Sequence, residues 1–104
     1  MNFSVDARAT ADLLAVLRWY ARHRRQSVVS RLWHYWRAGL TAIQANPQAF
    51  GVDPDSPPGA EVRAYILPRY DYLIRYQITS AEVVVISFAS GRRRRRHWQR
   101  RTLP

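Results

Sequence analysis

The sequence predicts an α+β fold: a short N-terminal strand, an antiparallel helix hairpin, and then a three-stranded antiparallel meander whose single sheet packs against the helices. Two observations support this prediction. In the first half, apolar residues recur at every third or fourth position, which is typical of amphipathic helices. In the second half, three short apolar segments are separated by brief polar breaks, which is typical of neighbouring antiparallel strands. A chain of 104 residues is long enough for one domain with one core.

The first predicted elements are a strand and a helix. Polar and apolar residues alternate over Asn2–Asp6, with Phe3 and Val5 on one face, which indicates a short strand. The carboxylate of Asp6 is suited to cap a helix that runs to about His23. The apolar residues at helical spacing in this segment are Ala9, Leu13, Val16, Leu17 and Tyr20.

A second helix follows a short polar connection. The segment Arg22–Ser27 interrupts the apolar pattern, and a helix is predicted from near Ser27 to Asn46, ahead of Pro47. Because the connection is short, the two helices should form an antiparallel hairpin. The predicted buried stripe of the second helix consists of Val29, Leu32, Trp36, Leu40 and Ile43, with Trp33 and Gly39 off this line.

The second half begins with a loop and continues as the meander. Phe50–Gly59 contains three prolines and two glycines and therefore cannot continue the helix. Strands are predicted at about Glu61–Leu67, Tyr72–Thr79 and Glu82–Ala89. Pro68 ends the first of these strands, because proline has no backbone N–H to donate to a neighbouring strand.

The chain is strongly basic, and its charge is unevenly distributed. The formal net charge is +10, and every basic residue other than histidine is arginine. Residues 1–50 hold seven arginines and two acids, residues 51–89 three arginines and five acids, and residues 90–104 seven arginines and no acid. Arginine forms forked contacts with carboxylates and phosphates. We therefore expect an acidic partner, either a nucleic acid or a protein with an acidic surface.

Several features that the sequence lacks restrict the class of protein. There is no cysteine, which fits a reducing cytosol, and the longest apolar run, Val83–Ala89 apart from Ser87, is too short to span a bilayer. No signal-peptide pattern precedes the first strand. Paired carboxylates, a nucleophile elbow and a phosphate-binding glycine loop are missing, and the three histidines have no metal-ligand spacing. We expect a soluble cytoplasmic protein with no cofactor, no metal site and no membrane association.

Short motifs along the chain resemble those of a known family. They lie at the start of the first helix, at the end of the second helix, on the strands and after the last strand. The matching positions are Ala11, Asp12, Leu13, Pro47, Gly51, Arg63, Tyr72–Tyr76 and the arginines after Ala89. In this order they resemble the RelE/ParE superfamily, the small toxins of bacterial type II toxin–antitoxin modules. The resemblance covers nearly the whole chain and implies the same α+β fold.

The superfamily has two branches with different activities. RelE-like members cleave messenger RNA in the ribosome, and ParE-like members inhibit DNA gyrase. Leu73 stands where RelE has an arginine that acts on the phosphate, and Tyr72–Tyr76 is similar to the Y-x-I-x-Y strand of ParE-like toxins. Ser90 and Gly91 depart from the ParE-like pattern, which usually has a histidine there. The resemblance favours a ParE-like toxin that inhibits gyrase by protein binding rather than catalysis, and that a cognate acidic antitoxin, ParD-like or similar, neutralises.

Two alternatives remain open. The first is a RelE-like, ribosome-dependent mRNA endoribonuclease, for which positive groups around the scissile phosphate are needed. Its candidate catalytic residues are Arg63, Arg69, Arg75 and Arg92. The second is a basic nucleic-acid-binding module on the same fold, in which each arginine of the tail neutralises a phosphate.

Candidate binding residues follow from the resemblance and from the charge pattern. The chain is expected to divide into a toxin domain, residues 1–90, and an arginine-rich tail, residues 91–104. The predicted target-binding residues are Arg63, Arg92, Arg93, Arg94, Arg95, Arg96, His97 and Trp98. The predicted antitoxin-binding residues, on the helix hairpin, are Trp33, Trp36 and Leu40. Alternatively, Arg63 forms an ion pair with Glu61 or Glu82, and Trp98 folds back onto the domain.

Overall fold

The computed structural model describes residues 1–91 and 97–104 and confirms the predicted α+β fold. Each predicted helix and strand is present, with its ends within about one residue of the prediction. In chain order the elements are β1 (Asn2–Val5), α1 (Ala7–Arg22), α2 (Gln26–Ala45), a 3-10 turn (Pro47–Ala49), β2 (Glu61–Ile66), β3 (Tyr72–Ile78), β4 (Glu82–Ser90) and a C-terminal 3-10 helix (His97–Arg101).

The four strands form one sheet in the order β1-β4-β3-β2. The meander pairs are antiparallel, as predicted. Strand β1 pairs in parallel with β4, with Phe3 opposite Val83 and Val5 opposite Val85. Parallel neighbours need a long connection, which the helix hairpin and the rest of the meander supply. The N-terminal strand therefore makes β4 an internal strand, but only over Glu82–Val85.

Asp6 caps the first helix, as the sequence predicts. A carboxylate oxygen of Asp6 accepts a hydrogen bond of 2.8 Å from the backbone N–H of Arg8, and the two side chains form an ion pair of 2.9 Å. The side-chain hydrogen bond from Arg8 lowers the pKa of Asp6 to about 2. Asp6 therefore satisfies a free backbone N–H group at the helix start and places a negative charge at the positive end of the helix dipole.

The turn between the helices is held by backbone hydrogen bonds. The N–H of Arg24 donates to the carbonyl of Ala21 at 3.1 Å, and the N–H of Arg25 donates to the carbonyl of Tyr20 at 2.9 Å. Arg24 has a φ of 56°, which is left-handed backbone and reverses the chain direction. This closed turn produces the predicted hairpin.

Gly39 permits close contact between α2 and the sheet. Although it lies off the predicted apolar stripe, it is buried with Leu32, Trp36 and Ile43. A Cβ atom at Gly39 would lie 2.7 Å from Cδ1 of Ile74 and 3.0 Å from the ring of Tyr65, closer than normal packing allows. The absence of a side chain lets these two sheet residues pack against the helix backbone.

The main core lies between the hairpin and one face of the sheet. Its ring contacts centre on Phe88, which stacks on Tyr72 with centroids 5.0 Å apart and forms a T-shaped pair with Trp36 with centroids 5.5 Å apart. Burial of each such side chain contributes about 1.5–3 kcal/mol. The fully enclosed residues here are Ala9, Leu13, Leu32, Ile43, Ile74, Tyr76 and Val85.

The described residues contain neither a membrane-spanning helix nor a metal-binding cluster. Over residues 1–91 and 97–104, no helix is long and apolar enough to cross a bilayer. Within the same ranges, no group of histidine, cysteine or acidic side chains is arranged to hold a metal ion.

The helix cap gives a prediction about stability. Asp6→Ala should lower the free energy of unfolding by about 1 kcal/mol at neutral pH, since it removes the capping oxygen. Asp6→Asn keeps an oxygen acceptor, so its free energy of unfolding should stay closer to that of the unchanged chain. Because the pKa of Asp6 falls from 3.8 to about 2 on folding, its contribution is present above about pH 4 and is lost as the pH falls through about 2.

Denaturant unfolding of the three chains at several pH values measures both effects. Asp6→Asn should remove part of the acid destabilisation between about pH 4 and pH 2. Equal losses for the alanine and asparagine variants at neutral pH would contradict the capping role.

Candidate protein-binding surfaces

The C-terminal segment, residues 97–104, covers the face of the sheet opposite the helices. Trp98 is 1% exposed and packs in a second apolar cluster with Val62, Val84 and Ile86. Farther along, the backbone N–H of Leu103 donates to the side-chain oxygen of Gln77 at 2.7 Å, and the amide of Gln77 donates back to the carbonyl of Leu103 at 3.1 Å. The segment is therefore held by one large apolar anchor and a reciprocal pair of hydrogen bonds.

A buried ion pair lies beside the indole of Trp98. The guanidinium of Arg75 stacks over the Trp98 ring, 4.8 Å from its centroid, and donates to a carboxylate oxygen of Asp53 at 2.8 Å. Both charged side chains are at least nine-tenths buried. A buried charge is tolerated only when it is paired, so Asp53 from the loop before β2 makes the position of Arg75 possible.

A second ion pair joins the tail to the first helix across the edge of β4. Arg101 donates to Asp12 at 2.7 Å and to the backbone carbonyl of Ile86 at 2.8 Å. The same Asp12 accepts from the backbone N–H of Phe88 at 3.2 Å. The pairing of β1 with β4 ends at Val85, so Asp12 and Arg101 satisfy backbone groups just beyond it.

These contacts change the interpretation of the tail. Trp98, predicted to contact a target, is instead a core residue, because the sheet face that it covers is apolar; the alternative that it folds back onto the domain is confirmed. Arg92–Arg96 and the side chain of His97 lie outside the described residues. The division into a domain ending at residue 90 and a separate tail stays a prediction.

The candidate nuclease arginines that the structure describes do not converge. Arg63 pairs with Glu61 at 2.7 Å and donates to the carbonyl of Phe50 at 2.7 Å, as the ion-pair alternative predicts. Arg63 and Arg75 lie opposite Tyr76 and Ala64 respectively, so their side chains extend from opposite faces of the sheet. Arg69 is exposed on the β2–β3 turn.

Tyr76 is poorly suited to catalysis of proton transfer. Its side chain is buried, and its hydroxyl donates to the backbone carbonyl of Pro47. Burial raises the pKa of Tyr76 to about 12. At neutral pH the hydroxyl is therefore protonated, and it serves to fix the 3-10 turn after α2 against the sheet.

The predicted antitoxin-binding residues separate into two groups. Trp33 is 46% exposed on α2, and Leu40 is partly buried. Trp36 is 5% exposed and packs on Phe88, so its assignment to a contact surface is corrected: it belongs to the core. Trp19, at 46% exposure, is a further exposed aromatic residue, which was not among the predicted contact residues. Its position outside the apolar stripe of α1 is the signal that would have identified it.

A further exposed surface lies at the β2–β3 turn. Ile66 is 68% exposed, and Arg69 has a left-handed φ of 70°. The N–H of Gly91 donates to the carbonyl of Asp71 at 2.7 Å, so the residue that precedes the arginine run lies beside this turn. The tertiary structure thus brings Gly91, the last described residue before the arginine run, against the β2–β3 turn, a contact that the sequence did not indicate.

Comparison with a solved structure shows the class of fold first. The fold is similar to that of a chain in a structure described as the chromosomal ParDE TA system from P. aeruginosa, with a TM-score of 0.70 and 17% sequence identity. The match covers 86% of this chain and 95% of that chain. This likeness shows the fold alone.

The family follows from the sequence itself. Residues 3–95 match the family model described as the ParE toxin of the type II toxin-antitoxin system, parDE. The chain therefore belongs to the ParE toxin family, which confirms the resemblance to the RelE/ParE superfamily and the favoured branch. No curated protein matches the chain.

The burial of Trp98 gives a prediction about the tail. Trp98→Ala should lower the free energy of unfolding by about 3–5 kcal/mol, because it removes a fully buried aromatic side chain. The matched control is Trp33→Ala, which should lower the free energy of unfolding by only about 1 kcal/mol, because that ring is half exposed and loses only part of the buried area. Denaturant unfolding measures both. Similar small effects for the two variants would contradict a structural role for the tail.

Proposed function

We propose that this chain is the toxin of a type II toxin–antitoxin module that inhibits DNA gyrase by binding it in the cytoplasm, and that a cognate acidic antitoxin, ParD-like or similar, holds it inactive. The observation that carries the proposal is the match of residues 3–95 to the ParE toxin family. The resemblance of Tyr72–Tyr76 to the strand of ParE-like toxins supports gyrase as the target.

The geometry supports a binding protein more than a nuclease. Leu73, at the position of the phosphate-facing arginine of RelE, is an aliphatic residue between Ile66 and Ala89 in the sheet. Arg75 is buried in an ion pair with Asp53, so it is not available to a phosphate. No observation on the described residues favours the ribonuclease alternative.

We assign target binding to the surface around the β2–β3 turn. It combines an exposed apolar side chain, Ile66, with the exposed cation of Arg69, and the arginine run begins beside it. An exposed apolar side chain accompanied by an exposed arginine fits an acidic protein surface, since arginine is favoured at interfaces and charge complementarity raises the association rate. Arg63 stays a predicted contact, although its side chain is largely occupied by Glu61 and Phe50.

Antitoxin binding is assigned to the exposed side of α2. Trp33 presents half of its surface to solvent, and Leu40 lies two turns farther along the same helix. Helix α2 contains no acidic residue, so an acidic segment would meet no like charge on it. Such a segment, disordered when free, would fold as it lays an apolar face along the helix.

The gyrase proposal is tested by a supercoiling assay with the purified chain. Gyrase activity should fall as the protein is added, and ribosomes should show no codon-specific mRNA cleavage. Arg69→Glu should weaken inhibition about tenfold, because it places a like charge against an acidic partner. Arg31→Glu, an exposed arginine of α2, is the control with equal change of charge. Ribosomal cleavage with supercoiling untouched would reverse the assignment.

The antitoxin proposal is tested by coexpression with the product of a small acidic reading frame adjoining the gene. The chain alone should arrest bacterial growth, and the pair should copurify and grow. Trp33→Ala should weaken the complex by about 2 kcal/mol, the loss typical of a central aromatic contact. Ser30→Ala, exposed one turn earlier on the same helix, should leave it unchanged. Equal affinities for both variants would place the antitoxin elsewhere.

A further inference from the structure

The helix hairpin carries arginines that the fold does not use. Between Asp12 and Asp53 the sequence contains no acidic residue. The two acids before this stretch are already engaged, because Asp6 pairs with Arg8 and Asp12 pairs with Arg101. Within residues 1–91 and 97–104, the exposed arginines of the hairpin that have no carboxylate partner are Arg18, Arg22, Arg24, Arg25, Arg31 and Arg37.

Four of these arginines are concentrated at one end of the hairpin. Arg18 and Arg22 are one helical turn apart and therefore lie on the same side of α1. Arg24 and Arg25 follow in the turn, where backbone hydrogen bonds to Ala21 and Tyr20 fix the chain. We call residues 18–25 the closed end of the hairpin. It presents four cations on a backbone that is already ordered, so little conformational entropy is lost from the backbone on binding.

An exposed aromatic pair accompanies the cations. The indole of Trp19 is 46% exposed and stacks on the imidazole of His23, with centroids 4.0 Å apart and planes 23° from parallel. His23 is itself fixed, because its Nδ1 lies 2.7 Å from the carbonyl oxygen of Trp19. A flat, positioned ring beside arginines is the combination with which proteins contact the sugars and bases next to bound phosphates.

We propose that the closed end of the hairpin binds the phosphodiester backbone of a nucleic acid. Arginine forks match phosphate geometry, and a phosphate chain requires only spaced cations with no competing carboxylate. An acidic peptide would also need an apolar groove to anchor it. The turn Arg22–Ser27 is polar throughout and offers none. This site is separate from the gyrase and antitoxin surfaces proposed above and does not depend on either.

Fluorescence anisotropy with short labelled duplexes tests the proposal, using the full chain made by cell-free synthesis over a series of salt concentrations. The closed-end variant carries Arg18→Gln, Arg22→Gln, Arg24→Gln and Arg25→Gln. A dispersed variant of the same net charge carries Arg31→Gln, Arg37→Gln, Arg69→Gln and Arg100→Gln, all at exposed positions. Glutamine keeps helix propensity, and circular dichroism verifies that both variants are folded.

The expected result is a difference between two variants of equal charge. The closed-end variant should bind duplex DNA at least about tenfold more weakly, and the slope of log affinity against log salt should fall by about three to four, since each lost phosphate contact contributes about 0.9. The dispersed variant should lose less than about threefold. A duplex RNA probe in parallel identifies which nucleic acid is preferred, and binding of either supports the site.

Three outcomes would overturn the proposal. If both variants lose affinity equally, DNA binding depends on net charge and not on the closed end. If the closed-end variant binds DNA as tightly as the unchanged chain, the arginine run alone accounts for binding. If polyglutamate competes as well as DNA at equal charge concentration, the closed end selects any polyanion and is an acidic-protein surface instead.

Discussion

The packing of Trp98 on the sheet face opposite the helices is the contact on which the arrangement of the C-terminal segment, Arg75 and Asp53 depends. Helices cover only one face, and the other carries an apolar patch of Val62, Val84 and Ile86. The indole covers this patch, and Arg75 stacks against the indole. Burying that guanidinium requires a counter-charge, which Asp53 supplies from the loop. A strand, a loop and the C-terminal segment are therefore coupled through one side chain.

The tail is also coupled to the helix hairpin. Asp12 and Arg101 meet at the edge of β4, where the short strand β1 no longer provides a neighbour, and each also binds the backbone there. A sheet edge with unpaired backbone groups invites pairing with other chains, so the ion pair protects the edge as well as joining two layers. Residues 97–104 thus contact both the sheet and the first helix, and Arg92–Arg96 lie in sequence between Gly91 and Trp98, which both contact the rest of the chain.

The arginines of the described chain fall into two groups. One group pairs with carboxylates of the fold and holds loops, strands and tail together: Arg8, Arg63, Arg75 and Arg101. The other group is exposed on the helix hairpin, the β2–β3 turn and the end of the chain, where it is available to partners. Net charge alone does not distinguish them, because an arginine looks the same in sequence whether or not an acid lies near it in space. The motif position of Arg63 marked it as a candidate cation, yet its neighbours Glu61 and Phe50 engage it in the structure.

The sequence by itself determined the elements, their order, the cap at Asp6 and the family, because periodicity, turn residues and motif spacing are local properties of the chain. It did not determine the parallel pairing of β1 with β4, the burial of Trp98 or the exposure of Trp19. Those depend on which residues distant in sequence meet in space, such as Asp12 with Arg101 and Gln77 with Leu103. Only the tertiary structure decided which tryptophans and arginines form the core and which form the surface, because burial is set by the neighbours that folding brings together.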